Sequence, residues 1–370
     1  MPVEDDLKTG KTAFAEWRFG EAELALRQAL DQQPDLFEAK AYLARCLDAR
    51  GDMETAVELY RQCLKAQPDN ATVHLLLAQS LLTLGRYEEA WPAYEWRYNA
   101  KSGQPFPDID APKWKGEVLD GKTLLVIAEQ GYGDVLQFIR FLPQVQALGG
   151  KVSLACSAPL ARLLEGTAGI DHLFHDWHQA PPFDAYFPLS SLPGALGVTT
   201  DDLPGEVPYI EADPRLARRW AGRIQGGAGK RIGLCWAGRP THPNDAFRSV
   251  PFDLVRDHLP AGNRYVSLQI GEAAKDAAGS VVQDFGTRVN DFADTAALIH
   301  NLDQVITVDT SVAHLAGAIG KPVWVLVPYV ADWRWGREGE TMPWYPTARI
   351  FRQSEPKKWE PPLAAIAAAL

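Results

Sequence analysis

The chain has 370 residues, 46% of them hydrophobic and 23% charged, and a formal net charge of −10. That length exceeds what one hydrophobic core commonly serves, so two or three domains are expected, and the composition excludes wholesale disorder. The acidic balance argues against nonspecific nucleic-acid binding, which needs clustered Lys and Arg, but leaves room for a local basic pocket.

The N-terminus reads MPVEDDLKTG, acidic and polar where a secretory signal is basic and then apolar. No stretch approaches about 18 uninterrupted apolar residues. A cytoplasmic protein without a membrane span is expected. Cys46, Cys63, Cys156 and Cys235 lie far apart without C-x-x-C spacing, which argues against a zinc site or a disulfide framework and predicts reduced, buried thiols.

The first hundred residues repeat. Ala22, Ala56 and Ala90 are spaced by 34, as are Pro34 and Pro68, and Gly51 and Gly85, each within apolar patterns of helical period. This is the tetratricopeptide period, and it predicts units at 3–36, 37–70 and 71–104. Small residues at Ala44, Ala78, Ala56 and Ala90 allow close helix packing, and Gly51 and Gly85 fall at the turns between paired helices. In the first unit Trp17 takes that turn position, as atypical terminal repeats allow. Such an array is either a spacer or oligomerisation surface, or a groove for a protein or peptide partner.

After Tyr98 the helical pattern stops. Pro105, Pro107 and Pro112 mark a linker at 105–116, with Trp114 expected to pin it to the next domain. From Thr123, short apolar runs alternate with amphipathic stretches: TLLVIAEQ, DVLQFIRFLPQVQAL and KVSLAC read as β-α-β and imply a parallel sheet. The alternation restarts at RIGLCWAG after the Gly-rich 226–230 and runs through YVSLQI, VITVD, VAHLAGAIG and PVWVLV. Two Rossmann-like lobes follow, at 117–225 and 226–370, with a boundary near 225, a ligand cleft at the carboxyl ends of both sheets, and a last helix in PPLAAIAAAL. The fold class is therefore an N-terminal all-α array followed by a two-lobed α/β domain.

Four loops carry candidate chemistry. Glu129-Gln130-Gly131-Tyr132-Gly133-Asp134 joins a strand to a helix. Gly131 and Gly133 there allow a tight turn and close ligand approach, and Asp134 falls at the helix start, either as an N-cap or with its carboxylate facing the cleft. The third glycine of the dinucleotide fingerprint is missing through Gln137, which weighs against a nicotinamide-dependent oxidoreductase. Asp309-Thr310-Ser311-Val312-Ala313-His314 ends a strand and opens a helix. Its free N–H groups, two hydroxyls and an imidazole suit a diphosphate, while a capping motif with a buried histidine is the plainer alternative. The loop with Gly238, Arg239, His242, Asn244, Asp245, Arg248 and Ser249 follows another strand and is placed for phosphate neutralisation, or is an exposed basic loop. Trp333, Arg334, Trp335, Trp344 and Tyr345 suggest sugar or base stacking, or packing that closes the core.

EQGYGDVLQFIRFLP early in one lobe and DTSVAHLAGAIGKPVWVL late in the other resemble the heptosyltransferase-like glycosyltransferases, family 9, and more closely the bacterial proteins that join tetratricopeptide repeats to such a domain. The resemblance runs from the repeats to the WYP at 344–346. It implies a GT-B fold and metal-independent transfer with inversion, with acceptor in the N-terminal lobe and nucleotide sugar mostly in the C-terminal one. Asp134 matches the family's catalytic base, Asp309, Thr310, Ser311 and His314 its donor-phosphate motif, and Arg248 the place of a cationic residue for the leaving phosphate. Two departures stand out: Ser311 replaces the glycine of the usual D-T-G, and heptosyltransferases normally lack repeats. The repeats make a protein acceptor more plausible than lipopolysaccharide, by analogy with repeat-bearing transferases that glycosylate proteins such as flagellin. The alternative is a repeat scaffold whose transferase-like domain is catalytically inactive.

Overall fold

The computed structural model describes residues 2–100, 106–224 and 228–370. The Pro105 end of the linker and the expected boundary near 225, with Gly226 and Gly227, lie outside the described residues. The chain forms two units, one of Met1–Pro107, Gly197–Asp202 and Val330–Glu338, the other of Asp108–Leu196, Leu203–Tyr329 and Gly339–Leu370.

The first unit contains three helix pairs: α1 (Val3–Ala15) with α2 (Phe19–Gln32), α3 (Phe37–Ala49) with α4 (Met53–Ala66), and α5 (Ala71–Thr83) with α6 (Tyr87–Tyr94). Ala22, Ala44, Ala56, Ala78 and Ala90 are all fully buried, so each marks a place where helices approach too closely for a larger side chain. The α4 and α5 starts are capped by Asp52, which accepts from Thr55 N, and Asn70, which accepts from Val73 N. Pro92 lies inside α6, and the helix gives way to a 3-10 turn at Glu95–Tyr98. Gly51 and Gly85 have φ of +95° and +74°, and Trp17, at the equivalent turn, adopts +63°.

Two excursions from the α/β sequence belong to this unit. Trp333 packs edge-on against Tyr87 and Trp91, and Arg337 donates to the last carbonyls of α3, Asp48 O at 2.9 Å and Ala49 O, where the helix dipole favours a cation. Thr200 Oγ1 donates to Gly85 O, and Trp91 Nε1 to Val198 O. Segments 197–202 and 330–338, placed by the sequence in the lobes at 117–225 and 226–370, thus group with the repeats.

The second unit holds two parallel sheets. The first contains β1 (Thr123–Ile127), β2 (Lys151–Ala155), β3 (His172–Phe174) and β4 (Ala185–Pro188), in the order β3-β2-β1-β4. Its helices are α7 (Tyr132–Phe138), α8 (Leu142–Gln146), α9 (Ala158–Leu164) and α10 (Leu192–Ala195). Trp114 pins the linker as expected: it is buried, meets Phe187 edge-on, and its backbone N–H donates to Tyr186 O of β4.

After α11 (Pro214–Ala221), the second sheet takes β5 (Arg231–Cys235), β6 (Arg264–Ser267), β7 (Val282–Gln283), β8 (Gln304–Val308), β9 (Val323–Val327) and β10 (Ala348–Arg352) in the order β10-β9-β8-β5-β6-β7. Its helices are α12 (Asp245–Arg248), α13 (Phe252–Asp257), α14 (Phe292–His300), α15 (Ser311–Ala318) and α16 (Glu360–Ala369). Leu363 and Ile366 of α16 are buried in the core of this lobe with Ile232, Trp236 and Phe351. Although α11 precedes residue 225, it packs on α14 of the second lobe: Trp220 donates to Asp294 and meets Phe285 edge-on. All four cysteines are buried and free. Burial pushes the thiols of Cys46 and Cys156 up, to about 12 and about 11.

The lobes of this unit are clasped. Arg162 of α9 donates to Asp291 and Asp294 of α14 at 2.6 and 2.9 Å. Burial alone would raise the Asp294 carboxyl, but bonds from Trp220 and Asn290 and the charge of Arg162 outweigh it and hold it below the usual value.

A Cβ on Gly51 meets nothing within 4 Å, so Gly51→Ala isolates the backbone term and costs about 1–2 kcal/mol, read by urea unfolding followed through helix circular dichroism. Trp17→Gly removes the same strain but loses the Phe19 contact, so its change is smaller than about 1 kcal/mol in either direction. The Asp294 contribution to stability is fully present above about pH 3.9, the unfolded value, and is lost as pH falls through the lower folded value. Unfolding free energies measured from pH 5 downward (an interval of about 3 units) therefore fall less steeply in Asp294→Asn than in wild type.

Candidate functional site

In each sheet the strand order reverses at one place. In the first, β1 leads to β2 and β3 on one side and has β4 on the other; in the second, β5 leads to β6 and β7 on one side and has β8 on the other. The carboxyl end of such a reversal opens a crevice, because the two following loops leave in opposite directions. Three of the sequence motifs emerge there: 129–134 after β1, 236–249 after β5 and 309–314 after β8.

After β1 the left-handed residue is Gln130, φ +68°, rather than Gly131 or Gly133. The glycines serve close approach instead of the turn. Gly131 is the N-cap of α7, and Asp134 is the third helical residue rather than the cap. Its Oδ2 reaches back to accept from Gly131 N at 2.8 Å, which anchors a partly exposed carboxylate at the helix mouth. At Gly133 a Cβ would stand 2.6 Å from His314 Cδ2 and 3.2 Å from Nε2. The absence of a side chain thus lets the imidazole of the second lobe lie on the first lobe's backbone. Tyr132, 41% exposed, meets Phe292 edge-on beside this contact.

On the other side of the crevice, Thr310 caps α15, its hydroxyl accepting from Val312 N at 3.3 Å and lying 3.2 Å from Thr307 Oγ1. Ser311 is the first helical residue and half-buried. His314 is buried, with Nδ1 2.9 Å from Tyr345 Oη. Arg248 is brought to the same place: its Nη1 donates to Asp309 O at 3.1 Å and its Nε to Asp245 at 3.3 Å. A Cβ at Gly238 would fall 2.5 Å from both Arg248 Nη2 and Asp245 Oδ1, so the glycine makes room for that ion pair. Gly238 N in turn donates to Ser249 Oγ, which donates to Asp245. Arg239 stands exposed on the same loop.

Three further residues hold the crevice together. Gln269, buried beyond β6, accepts from Trp236 N and Ala237 N and donates to Ala237 O, substituting for backbone partners that the loop lacks. Arg140, buried in the first lobe, donates to Trp344 O and Pro204 O and to Tyr209 Oη, with its guanidinium over the rings of Tyr209 and Tyr345. The third is Tyr345, whose hydroxyl lies beside His314 Nδ1. The sequence signal for Arg140 was a charge inside the apolar FIRFLP, and for Gln269 a polar residue closing a strand. The aromatic cluster resolves as packing: Trp333, Trp335, Trp344 and Tyr345 are all buried, and Trp344 meets Phe138 and Phe141 edge-on. Beside Gln269, a small cavity is lined by Ser267, Asp284, Gly286, Val289 and Thr295. Among the described residues no three His, Cys, Asp or Glu gather as a metal-ligand set, and no helix is long and apolar enough to cross a membrane.

Two parts of the chain match known protein families. Residues 289–361, which include α15 and Tyr345, match glycosyltransferase family 9 (heptosyltransferase). Residues 18–96 match the repeat-containing family of anaphase-promoting complex, cyclosome, subunit 3. The molecule is a helical-repeat array followed by an α/β domain of two parallel sheets, and the family 9 match falls in the second of them. Among individual proteins, Protein FlbA of Caulobacter vibrioides is 31% identical over 332 residues, covering 81% of this chain and 55% of FlbA. The chain thus spans about half the length of the curated relative it matches. Among solved structures, the ADP-heptose lps heptosyltransferase II of E. coli is 12% identical, covering 67% of this chain and 97% of that one, with a TM-score of 0.49. MamA is 21% identical over 27% of this chain and 58% of its own, with a TM-score of 0.26.

The glycine contact is open to test. Gly133→Ala forces a methyl into the His314 ring, which Tyr345 holds, and is expected to lower unfolding free energy by about 1–3 kcal/mol. Gln130→Gly relieves the left-handed strain and changes stability by no more than about 1 kcal/mol, without loss. Both are read by urea unfolding. An alanine at 133 that costs nothing would show that the two helices do not need this approach.

Proposed function

We propose that the chain is an inverting, metal-independent glycosyltransferase that moves a sugar from a nucleotide-sugar donor to a hydroxyl acceptor. The observation that carries this reading is the contact of Gly133 with His314, since it sets Asp134 and the 309–314 helix start on one crevice. Asp134 is the general base: it takes the proton of the acceptor hydroxyl as that oxygen forms a bond to the anomeric carbon from the face opposite the leaving group. The bond from that carbon to the phosphate oxygen breaks, and the nucleoside diphosphate departs with the electron pair. Arg248, His314 and the N-terminus of α15 stabilise its growing negative charge. Because Arg248 is already fixed on Asp309 O and Asp245, little reorganisation is needed as charge develops.

The repeats are read as the dock for a protein or peptide acceptor. Helices α5 and α6 already carry the Trp333 segment, so the surface offered to a partner is that of the first two helix pairs. A cytoplasmic location accords with use of a nucleotide sugar.

Asp134→Asn keeps an oxygen to accept from Gly131 N, so the helix cap survives while the base is lost. Transfer from the preferred donor is expected to fall by at least about 100-fold, and nucleotide binding to persist. Thermal-shift titration against a panel of nucleotides and nucleotide sugars reads the second half: one nucleotide class raises the melting temperature of wild type and Asp134→Asn but not of His314→Ala. Undiminished transfer by Asp134→Asn sinks the mechanism. Nucleotide binding without transfer by wild type to any acceptor offered would favour the scaffold alternative.

A further inference from the structure

Tyr345 lies between the 330–338 excursion and β10, and its side chain is fully buried. Its hydroxyl is 2.9 Å from His314 Nδ1, and its ring meets the imidazole edge-on, with centroids 5.7 Å apart. Space for that ring is made by Gly317, where a Cβ would stand 2.4 Å from Tyr345 Cδ1. The imidazole is therefore held at two edges: Nδ1 against the phenol, and the Cδ2–Nε2 edge against the Gly133 backbone.

A neutral imidazole has one nitrogen that donates and one that accepts. A phenol O–H, with an ordinary pKa of about 10, is a far stronger acid than a neutral imidazole N–H, so the favoured polarity has Tyr345 donating to Nδ1. The Arg140 guanidinium, its central carbon 5.0 Å from the Tyr345 ring centroid, draws electron density from the phenol and strengthens that donation. The proton of the imidazole is then confined to Nε2, on the edge that lies beside Gly133 at the start of α7. In the other tautomer a lone pair would meet the diphosphate oxygens.

We infer that Tyr345 is a positioning residue: by donating to Nδ1 it fixes His314 as the Nε2–H tautomer, so that the imidazole presents a donor rather than a lone pair to the leaving phosphate. The role at the phosphate rests on the function proposed above, whereas the tautomer stands independently of it.

The test is nitrogen-15 NMR of the full chain labelled at histidine, at about pH 8.5, above the ordinary histidine pKa, with His314→Ala identifying the His314 signals among the eight histidines. Expected in wild type are two well-separated ring-nitrogen shifts, with Nδ1 unprotonated and Nε2 carrying the proton. In Tyr345→Phe, which keeps the ring and loses the hydroxyl, the two shifts converge toward those of a tautomer mixture. An Nδ1–H pattern in wild type, or an unchanged spectrum in Tyr345→Phe, overturns the inference. Should Tyr345→Phe not fold, the wild-type pattern still decides the tautomer, and Arg140→Lys, which leaves the phenol in place, is expected to retain it; a reversed pattern in that variant counts against phenol donation. Failure of the protein to transfer sugar would overturn the proposed function without altering these spectra.

Discussion

The close approach of α7 to α15, made possible because Gly133 has no side chain, is the constraint on which the crevice depends. A methyl group there would occupy the space of the His314 ring. Once that ring is accepted, the rest of its surroundings is determined in turn: Gly317 leaves room for Tyr345, Tyr345 meets Nδ1, and Arg140 ties the Tyr345 loop back to the first lobe through Trp344 O. Glycine here does not provide left-handed backbone, since that conformation falls on Gln130. Strain at a single non-glycine residue beside a polar crevice is the kind of local cost that a site retains when the surrounding packing over-determines it.

The second lobe supplies charge that is fixed in advance. Gln269 satisfies the backbone of 236–237, Ser249 and Asp245 hold Gly238 and Arg248, and Arg248 reaches the carbonyl of Asp309. Each of these bonds removes freedom from a loop that would otherwise have to order itself around a ligand, so its entropy is lost on folding rather than on binding. Thr310 serves the same end by capping α15 with its hydroxyl turned into the protein.

Two segments from the α/β part of the sequence group with the repeat unit. Trp333 and Arg337 belong to a segment that leaves the second lobe after β9 and joins the repeat unit, and Thr200 and Val198 come from a second such segment after α10. Of the tryptophans that suggested a stacking surface, Trp333 is used for this packing, whereas Trp344 is buried against Phe138 and Phe141 of the first lobe.

By itself the sequence determined the elements whose information is local. The 34-residue period appears because each helix pair repeats the same contacts, so the buried alanines and the turns at Gly51, Gly85 and even Trp17 could be read from spacing alone. The strands and the three crevice loops were legible because apolar runs end where polar loops begin. What only the tertiary structure decided depends on long-range pairing: the strand orders that create the two reversals, the packing of α11 on the second lobe, the excursions at 197–202 and 330–338, and the meeting of Gly133 with His314. Nor could spacing distinguish Asp134 as the third residue of its helix from Asp134 as its cap, since a shift of three residues in a helix start leaves the apolar pattern unchanged. Tyr345, Gln269 and Arg140 act through partners distant in sequence, and no local pattern specifies which of two chemically equivalent partners a buried polar group will find.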